Sequence, residues 1–126
     1  VDLLLDTHAL IWWFVGDDRL SAPAKAAVMD ESQKMFVSAA SLWEIATKSR
    51  LGKLPSMAAV ALEDAVMAQG FAPLPITLRH GQMAGALPGD HRDPFDRMLI
   101  AQAMAEGLAL VSNEVVFDVY GVRRVW

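Results

Sequence analysis

Five acidic residues are spaced so that they could share one piece of chemistry. Asp6 closes the apolar run Leu3-Leu4-Leu5, Glu44 lies just beyond Met35-Phe36-Val37-Ser38, and Glu114 follows Leu108-Ala109-Leu110-Val111-Ser112. Asp93 and Asp96 open a strongly apolar segment, three positions apart, a spacing that sets both on one face of a helix. Carboxylates gathered at one place repel each other and resist desolvation unless a cation neutralises them. A set of oxygen donors suits a hard divalent ion, Mg²⁺ or Mn²⁺.

A parallel α/β sheet would bring these residues together, because the carboxyl ends of its strands share one edge and ligands bind there. Val1 to Leu5 and Met35 to Val37 have the short apolar character of buried strands. Ala109 to Ser112 has the same character, Val122 to Val125 makes a last strand, and Leu74 to Ile76, bracketed by prolines, a brief one. Helices are expected over His8–Phe14, from the Ser21 cap to about Glu31, over Ala39–Leu51, from Ser56 to about Gln69, and from the Thr77 cap to about Ala86. Asp93-Pro94 is a clean start for one more, with an Asp cap and Pro at the first helical position, and Gly107 ends it. Leu87 to Arg92 is a loop. Strands alternating with long crossovers imply a three-layer α/β domain. Its central sheet should be mostly parallel, with four to five strands, and should span residues 1–126 as one domain.

Each acid also has a purely structural use. Asp6 can cap the helix that follows it. Asp93 can cap the amide of Asp96, a bond worth about 1 kcal/mol, and Asp96 is favoured in a first helical turn by the macrodipole. Ser41-Leu42-Trp43-Glu44 fits a capping box, but Ser38 at the strand end is the better cap. That leaves Glu44 among apolar neighbours, where an acid is costly to bury without a partner. Glu114, in a loop, has solvation as its ordinary fate. His8, His80 and His91 read as local hydrogen-bonders, and Trp12, Trp13 and Trp43 as core or interface residues that can also stack on a base.

Composition narrows the classes. The chain has no cysteine, which excludes disulfides and thiol catalysis. A hydrophobic fraction of 54% excludes disorder. Ala9 to Val15 is too short to span a bilayer and has no basic stretch before it, so a cytoplasmic protein away from the membrane is expected. Beginning directly on a strand suggests a missing initiator or tag residue. The net charge of −4 argues against nucleic-acid binding taken alone. Against that, Lys48, Arg50 and Lys53 cluster, as do Arg92 and Arg97, leaving room for a basic rim around an acidic centre.

Together these segments resemble a known family. Leu3-Leu4-Leu5-Asp6-Thr7-His8, Val37-Ser38-Ala39-Ala40-Ser41-Leu42-Trp43-Glu44-Ile45-Ala46 and His91-Arg92-Asp93-Pro94-Phe95-Asp96-Arg97-Met98-Leu99-Ile100-Ala101-Gln102-Ala103 look like the motifs of PIN domains. More narrowly they look like VapC toxins of bacterial type II toxin–antitoxin systems. The tail, Leu110-Val111-Ser112-Asn113 and Phe117 to Val122, continues the match. The resemblance implies a PIN-like fold and a Mg²⁺- or Mn²⁺-dependent ribonuclease with Asp6, Glu44, Asp96 and Glu114 in its acidic site. Asp93 matches a recurrent second Asp. At Glu114 the family usually has Asp; the extra methylene moves the carboxylate outward, and Ser112 and Asn113 stand ready to help.

On this reading Asp6 and Asp96 are the main metal ligands, directly or through water, Glu44 completes the shell or orients the attacking water, and Asp93 is a further ligand. Arg97 or Arg92 contacts the scissile phosphate, with Lys48, Ser112 and Asn113 also on the substrate side. Water attack would leave a 3′-hydroxyl and a 5′-phosphate. Two other classes compete. An aspartate-based phosphotransfer hydrolase would hydrolyse a generic phosphate ester, but Asp6-Thr7-His8 departs from its usual triplets. A silent PIN-like binding module would not need the Asp6, Glu44 and Asp96 set. The resemblance further implies an RNA substrate and a cognate VapB-type antitoxin, whose tail would fold near Trp12 and Trp43. A homodimer is expected from the apolar supply of Trp12, Trp13, Met57, Val60, Met67 and Phe71.

Overall fold

A computed structural model describes residues 1–54 and 61–126. The expected Ser56 cap, with Met57 and Val60, lies outside the described residues.

The central strand is the first. β1 (Leu3–Leu5) pairs on one side with β2 (Met35–Ser38), and β2 with β3 (Ala72–Leu74). On its other side β1 pairs with β4 (Ala109–Val111), and β4 with β5 (Arg124–Val125). The order is β3-β2-β1-β4-β5, and among the described residues every pairing is parallel. Leu5 stands level with Val37 and Val111, so the chain leaves all three strands at one edge. The strand order reverses between β1 and β4, where an open sheet forms its crevice.

Alternation along the strands builds two cores. Leu3, Leu5, Met35, Val37, Ala109 and Val111 point to one face. There they meet α1 (Thr7–Val15), α2 (Ala22–Met29), Ile45 of α3 (Ala39–Arg50) and Val66 of α4 (Leu62–Ala68). Leu4, Phe36 and Leu110 point to the other face. They pack on Leu99, Ile100 and Ala103 of α6 (Pro94–Glu106), Ala40 of α3, and Phe117 of a 3₁₀ turn over Val115–Tyr120. α5 (Leu78–Ala86) packs along α6. Because both faces of the sheet are covered, its strands read as unbroken apolar runs.

The ends differ from expectation in instructive ways. β3 lies two residues earlier than the expected Leu74 to Ile76, with Pro73 inside it on an edge strand, where a missing N–H is tolerated. α4 starts at Leu62 with no side-chain cap. No sequence pattern announces the 3₁₀ turn; it is closed by Gly121 at φ +74°, a backbone shape that glycine takes at no steric cost. Trp12 and Phe71 are buried in the core, so they add nothing to an exposed apolar surface. Met67 is exposed, and Trp13 is half-buried with its indole N–H donating to Gln69. Among the described residues no helix is long and apolar enough to cross a membrane.

Candidate active site

Asp6 sits one residue past β1, at the centre of the carboxyl edge. Its amide donates to the Val111 carbonyl at 3.1 Å, continuing the β1–β4 ladder. Its Oδ1 accepts the Ala9 N–H at 2.7 Å, which makes it the cap of α1. Structural use and site position coincide in one buried side chain. Burial pushes its carboxyl up to about 6; the charge of Asp96 adds to the rise, while the Ser112 hydroxyl, the Ala9 amide and His8 pull the other way.

Ser112 lies opposite, one residue past β4 and fully buried. Its Oγ accepts the Glu114 amide at 3.0 Å, which leaves its own proton free for Asp6. Glu114 is half-buried at the start of the 3₁₀ turn. Its carboxylate makes no hydrogen bond or ion pair among the described residues, and Asn113 is exposed beside it. Ser112 thus bonds to Asp6, whereas Glu114 makes no side-chain bond among the described residues.

Glu44 enters from α3. Ser38 caps that helix by accepting the Ala40 N–H at 3.0 Å, so Ser41 and Glu44 do not form a capping box. Ser41 instead accepts the Thr7 hydroxyl at 3.2 Å, tying α3 to the start of α1. Glu44 is only 2% exposed. Its Oε2 accepts from Lys48 Nζ at 2.5 Å, while Oε1 is buried with no hydrogen-bond partner among the described residues. Burial pulls the Lys48 ammonium down. The bond to Glu44 and the charges of Glu44, Asp93 and Asp96 outweigh that effect, and its pKa ends above the ordinary lysine value.

Asp96 is held in the first turn of α6. Asp93 Oδ1 accepts the amides of Phe95 at 2.9 Å and Asp96 at 3.2 Å, so Asp93 is spent in part as the cap. His91 Nε2 lies 2.8 Å from Asp96 Oδ2; an ionised Asp96 accepts, so His91 carries its proton there. Burial pushes Asp96 up to about 6, against the His91 bond, and the charges of Asp93 and Glu44 add to the rise.

The arginines divide. Arg97 donates from Nε to the Ala84 carbonyl at 3.2 Å, from Nη1 to that of His91 at 3.2 Å, and from Nη2 to that of Leu87. These bonds staple the 87–91 loop to α6. They take three of the five N–H donors of Arg97, the residue expected with Arg92 on the phosphate side. Arg92 is exposed at the rim with no partner among the described residues. Trp43 is 59% exposed and packs edge-on against Phe95, ring centroids 4.9 Å apart, bridging α3 and α6. Trp12 is buried between His8, Trp126 and the Arg19 guanidinium, so it offers no surface to a partner.

A buried polar chain behind the site escapes sequence reasoning. The Ser38 hydroxyl donates to Gln102 Oε1 at 2.5 Å. Gln102 Nε2 reaches the Pro75 carbonyl and His80 Nδ1, each at 3.3 Å, and His80 Nε2 meets Glu106 at 3.1 Å. It fixes the start of α3 against α5 and α6. No local pattern announces it, since Ser38 and its partner Gln102 lie 64 residues apart.

All-oxygen donors, a buried carboxylate oxygen without a partner, and two acids raised to about 6 by burial and by neighbouring acids suit a hard cation. Among the described residues no three acidic or imidazole side chains already stand in a ligating arrangement. Glu44 and Asp96 each present an oxygen to a nitrogen instead.

Comparison with known proteins agrees with this architecture. Ribonuclease VapC22 of Mycobacterium tuberculosis (strain ATCC 25618 / H37Rv) is 29% identical over 113 residues, covering 89% of this chain and 86% of that one. Among solved structures, VapC20 of the same species, a Sarcin-Ricin loop cleaving toxin, superposes with a TM-score of 0.71 at 16% identity, over 96% of each chain. DNA-bound VapBC from Salmonella typhimurium gives 0.70 at 20% identity, over 98% of this chain and 96% of that one. These two likenesses show the fold. The PIN domain family model matches residues 3–122. This chain therefore belongs to the PIN-domain family.

Proposed function

We propose that this protein is a VapC-type endoribonuclease toxin that hydrolyses RNA with the help of Mg²⁺ or Mn²⁺. The observation that carries the reading is the nearness of buried Asp6 and Glu44 to half-buried Asp96 beside the carboxyl edge of the sheet, where the charge of Asp96 acts on Asp6 and that of Glu44 on Asp96. The relative named a ribonuclease supports it.

Asp6 and Asp96 would hold the cation, with the free oxygen of Glu44 and the rim carboxylate of Asp93 nearby. When bound, such an ion supplies an activated water and neutralises charge on the phosphate. His91 fixes Asp96, and the Ser112 hydroxyl fixes Asp6, so the two carboxylates enter the reaction already oriented. Arg92 and Lys48 are the cations able to meet the RNA backbone, and Trp43 offers a flat face on which a base can stack. Glu114 and Asn113 border the crevice at its outer side. Water attack at phosphorus leaves a 3′-hydroxyl and a 5′-phosphate.

The solved neighbours include VapBC from Salmonella typhimurium and a FitAB complex, which supports a cognate VapB-type antitoxin here. A cleft of about 470 Å³ beside α3, lined by Val37, Ala39, Leu42, Val66, Met67 and Leu74, suits the apolar face of a short amphipathic segment. A homodimer and a cytoplasmic location complete the reading.

Purified protein should cleave RNA with Mn²⁺ and stop with EDTA. Asp96→Asn, folded by circular dichroism, should be inactive. Wild-type rates in that variant would refute the assignment. Hydrolysis of a generic phosphate ester without RNA cleavage would favour a phosphotransfer hydrolase.

A further inference from the structure

We propose that Lys48 is a built-in counter-cation: its ammonium holds Glu44 while the site lacks a divalent ion, and moves to an RNA phosphate once an ion takes its place. The inference rests on the metal-dependent ribonuclease reading and adds a residue that changes partner during loading.

Glu44 needs a cation in either state. At 2% exposure its charge is costly to strand, and Oε1 already has no partner among the described residues. Lys48 meets that need through Oε2 at 2.5 Å, from the next turn of the same helix. Breaking this contact without a replacement would leave a buried, unpaired carboxylate.

Lys48 is also built to leave. Its side chain is 30% exposed, so the ammonium lies at the mouth of the site while Glu44 lies within. Four methylenes let that point charge swing without moving α3. His91, the other nitrogen donor at the cluster, is tied to Asp96, and Arg97 gives three of its donors to carbonyls. Lys48 combines partial exposure and a flexible stem with a side-chain partner inside the acidic cluster.

The energetics set the order of events. With a divalent ion held by Asp6, Glu44 and Asp96, the Lys48 ammonium would be repelled at contact distance. Glu44, already neutralised, would no longer need it. The displaced ammonium then sits at the rim with its charge unspent, where an incoming phosphate is the available anion. Before the ion arrives, the same contact keeps the acidic pocket from tearing itself apart.

Wild-type protein tests this directly. There are four lysines, Lys25, Lys34, Lys48 and Lys53, so their side-chain signals can be assigned in protein labelled at lysine ε-carbon and ζ-nitrogen. Titration with MgCl₂ should shift the Lys48 ammonium signal and speed its exchange with water, leaving Lys25 and Lys34 unchanged. In calorimetry without RNA, Lys48→Gln should bind Mn²⁺ about tenfold or more tightly, as expected for loss of a competing, partly buried ion pair. Lys48→Arg should stay near wild type. With Mn²⁺ saturating, Lys48→Gln should raise KM for RNA more than it lowers kcat. If Mg²⁺ shifts the amides around Asp6 and Asp96 and RNA is cleaved, but Lys48 does not respond, this inference is wrong and the ribonuclease reading stands. If Mg²⁺ perturbs nothing and no RNA is cleaved, both fall. Should Lys48→Gln fail to fold without metal, the wild-type titration still decides.

Discussion

Asp6 and Asp96 carry charge at a cost to the fold. Each has a folded pKa raised from 3.8 to about 6, so the stability they permit is complete below about pH 4 and is lost as pH rises through about 6. Once ionised, each such carboxylate costs the fold on the order of 3 kcal/mol. Metal-free protein should therefore melt at a lower temperature at pH 7.5 than at pH 5, and Asp6→Asn should flatten that slope while keeping the cap, since Asn caps as well as Asp. Scanning calorimetry at several pH values in EDTA checks this; an equal slope in the variant would contradict it. The acids themselves are legible because each follows an apolar run, and that pattern puts a carboxylate on the sheet edge. Their partners are less so. Lys48 at i+4 from Glu44 is a helical neighbour on any reading, yet its charge alone points to the substrate. Arg97 reads as a phosphate contact, and only the folded loop shows three of its donors taken by carbonyls. Trp43 keeps both its exposure and its flat face. Trp43→Ala should raise KM for RNA several-fold with kcat little changed, as expected for a lost stacking contact; steady-state kinetics on a short oligoribonucleotide would show a kcat loss instead if Trp43 mainly braces α6 through Phe95.

Helix α3 is the element on which the site depends. It begins at Ser38, which serves two masters: its oxygen caps the helix, and its proton goes to Gln102. Gln102→Leu keeps side-chain volume but removes the acceptor of the buried Ser38 hydroxyl, while His80 keeps the Thr77 amide and Glu106. A loss of about 1–3 kcal/mol is expected, read as an earlier urea midpoint with unchanged slope. A neutral result would mean that the buried chain from Ser38 to Glu106 does not hold α3. Caps at Ser21, Ser38, Thr77 and Asp93 are all readable, because each is a short polar side chain just before an apolar run. The 3₁₀ turn after Ser112 is not, since two exposed valines and one buried Phe117 fit neither helical nor strand periodicity. The buried chain through His80 is invisible for a different reason: it joins four elements, and a sequence shows neighbours only along the chain.

At the scale of the whole molecule, topology does the gathering. β1 lies between β2 and β4, so residues 6, 38 and 112 leave the sheet side by side. A five-stranded parallel sheet falls within the range expected from alternating apolar runs and crossovers. The surface is where sequence misleads: two of the aromatics counted as surplus, Trp12 and Phe71, are core. Exposed apolar side chains nevertheless remain, among them Leu78, Val119 and Met67. On the toxin reading, co-expression with a VapB-type antitoxin should give a complex that survives size exclusion and cleaves RNA more slowly. Light scattering of the toxin alone should give twice the 13.7 kDa chain mass; a monomer at micromolar concentration would remove the dimer. The central claim is that the carboxylates at the β1–β4 crevice hold a divalent ion. Crystals soaked in MnCl₂ and measured at the manganese edge test it most directly. Anomalous density between Asp6 and Asp96, absent from Asp96→Asn crystals, is the result predicted; an empty crevice at saturating Mn²⁺, or density only at surface carboxylates, would contradict it.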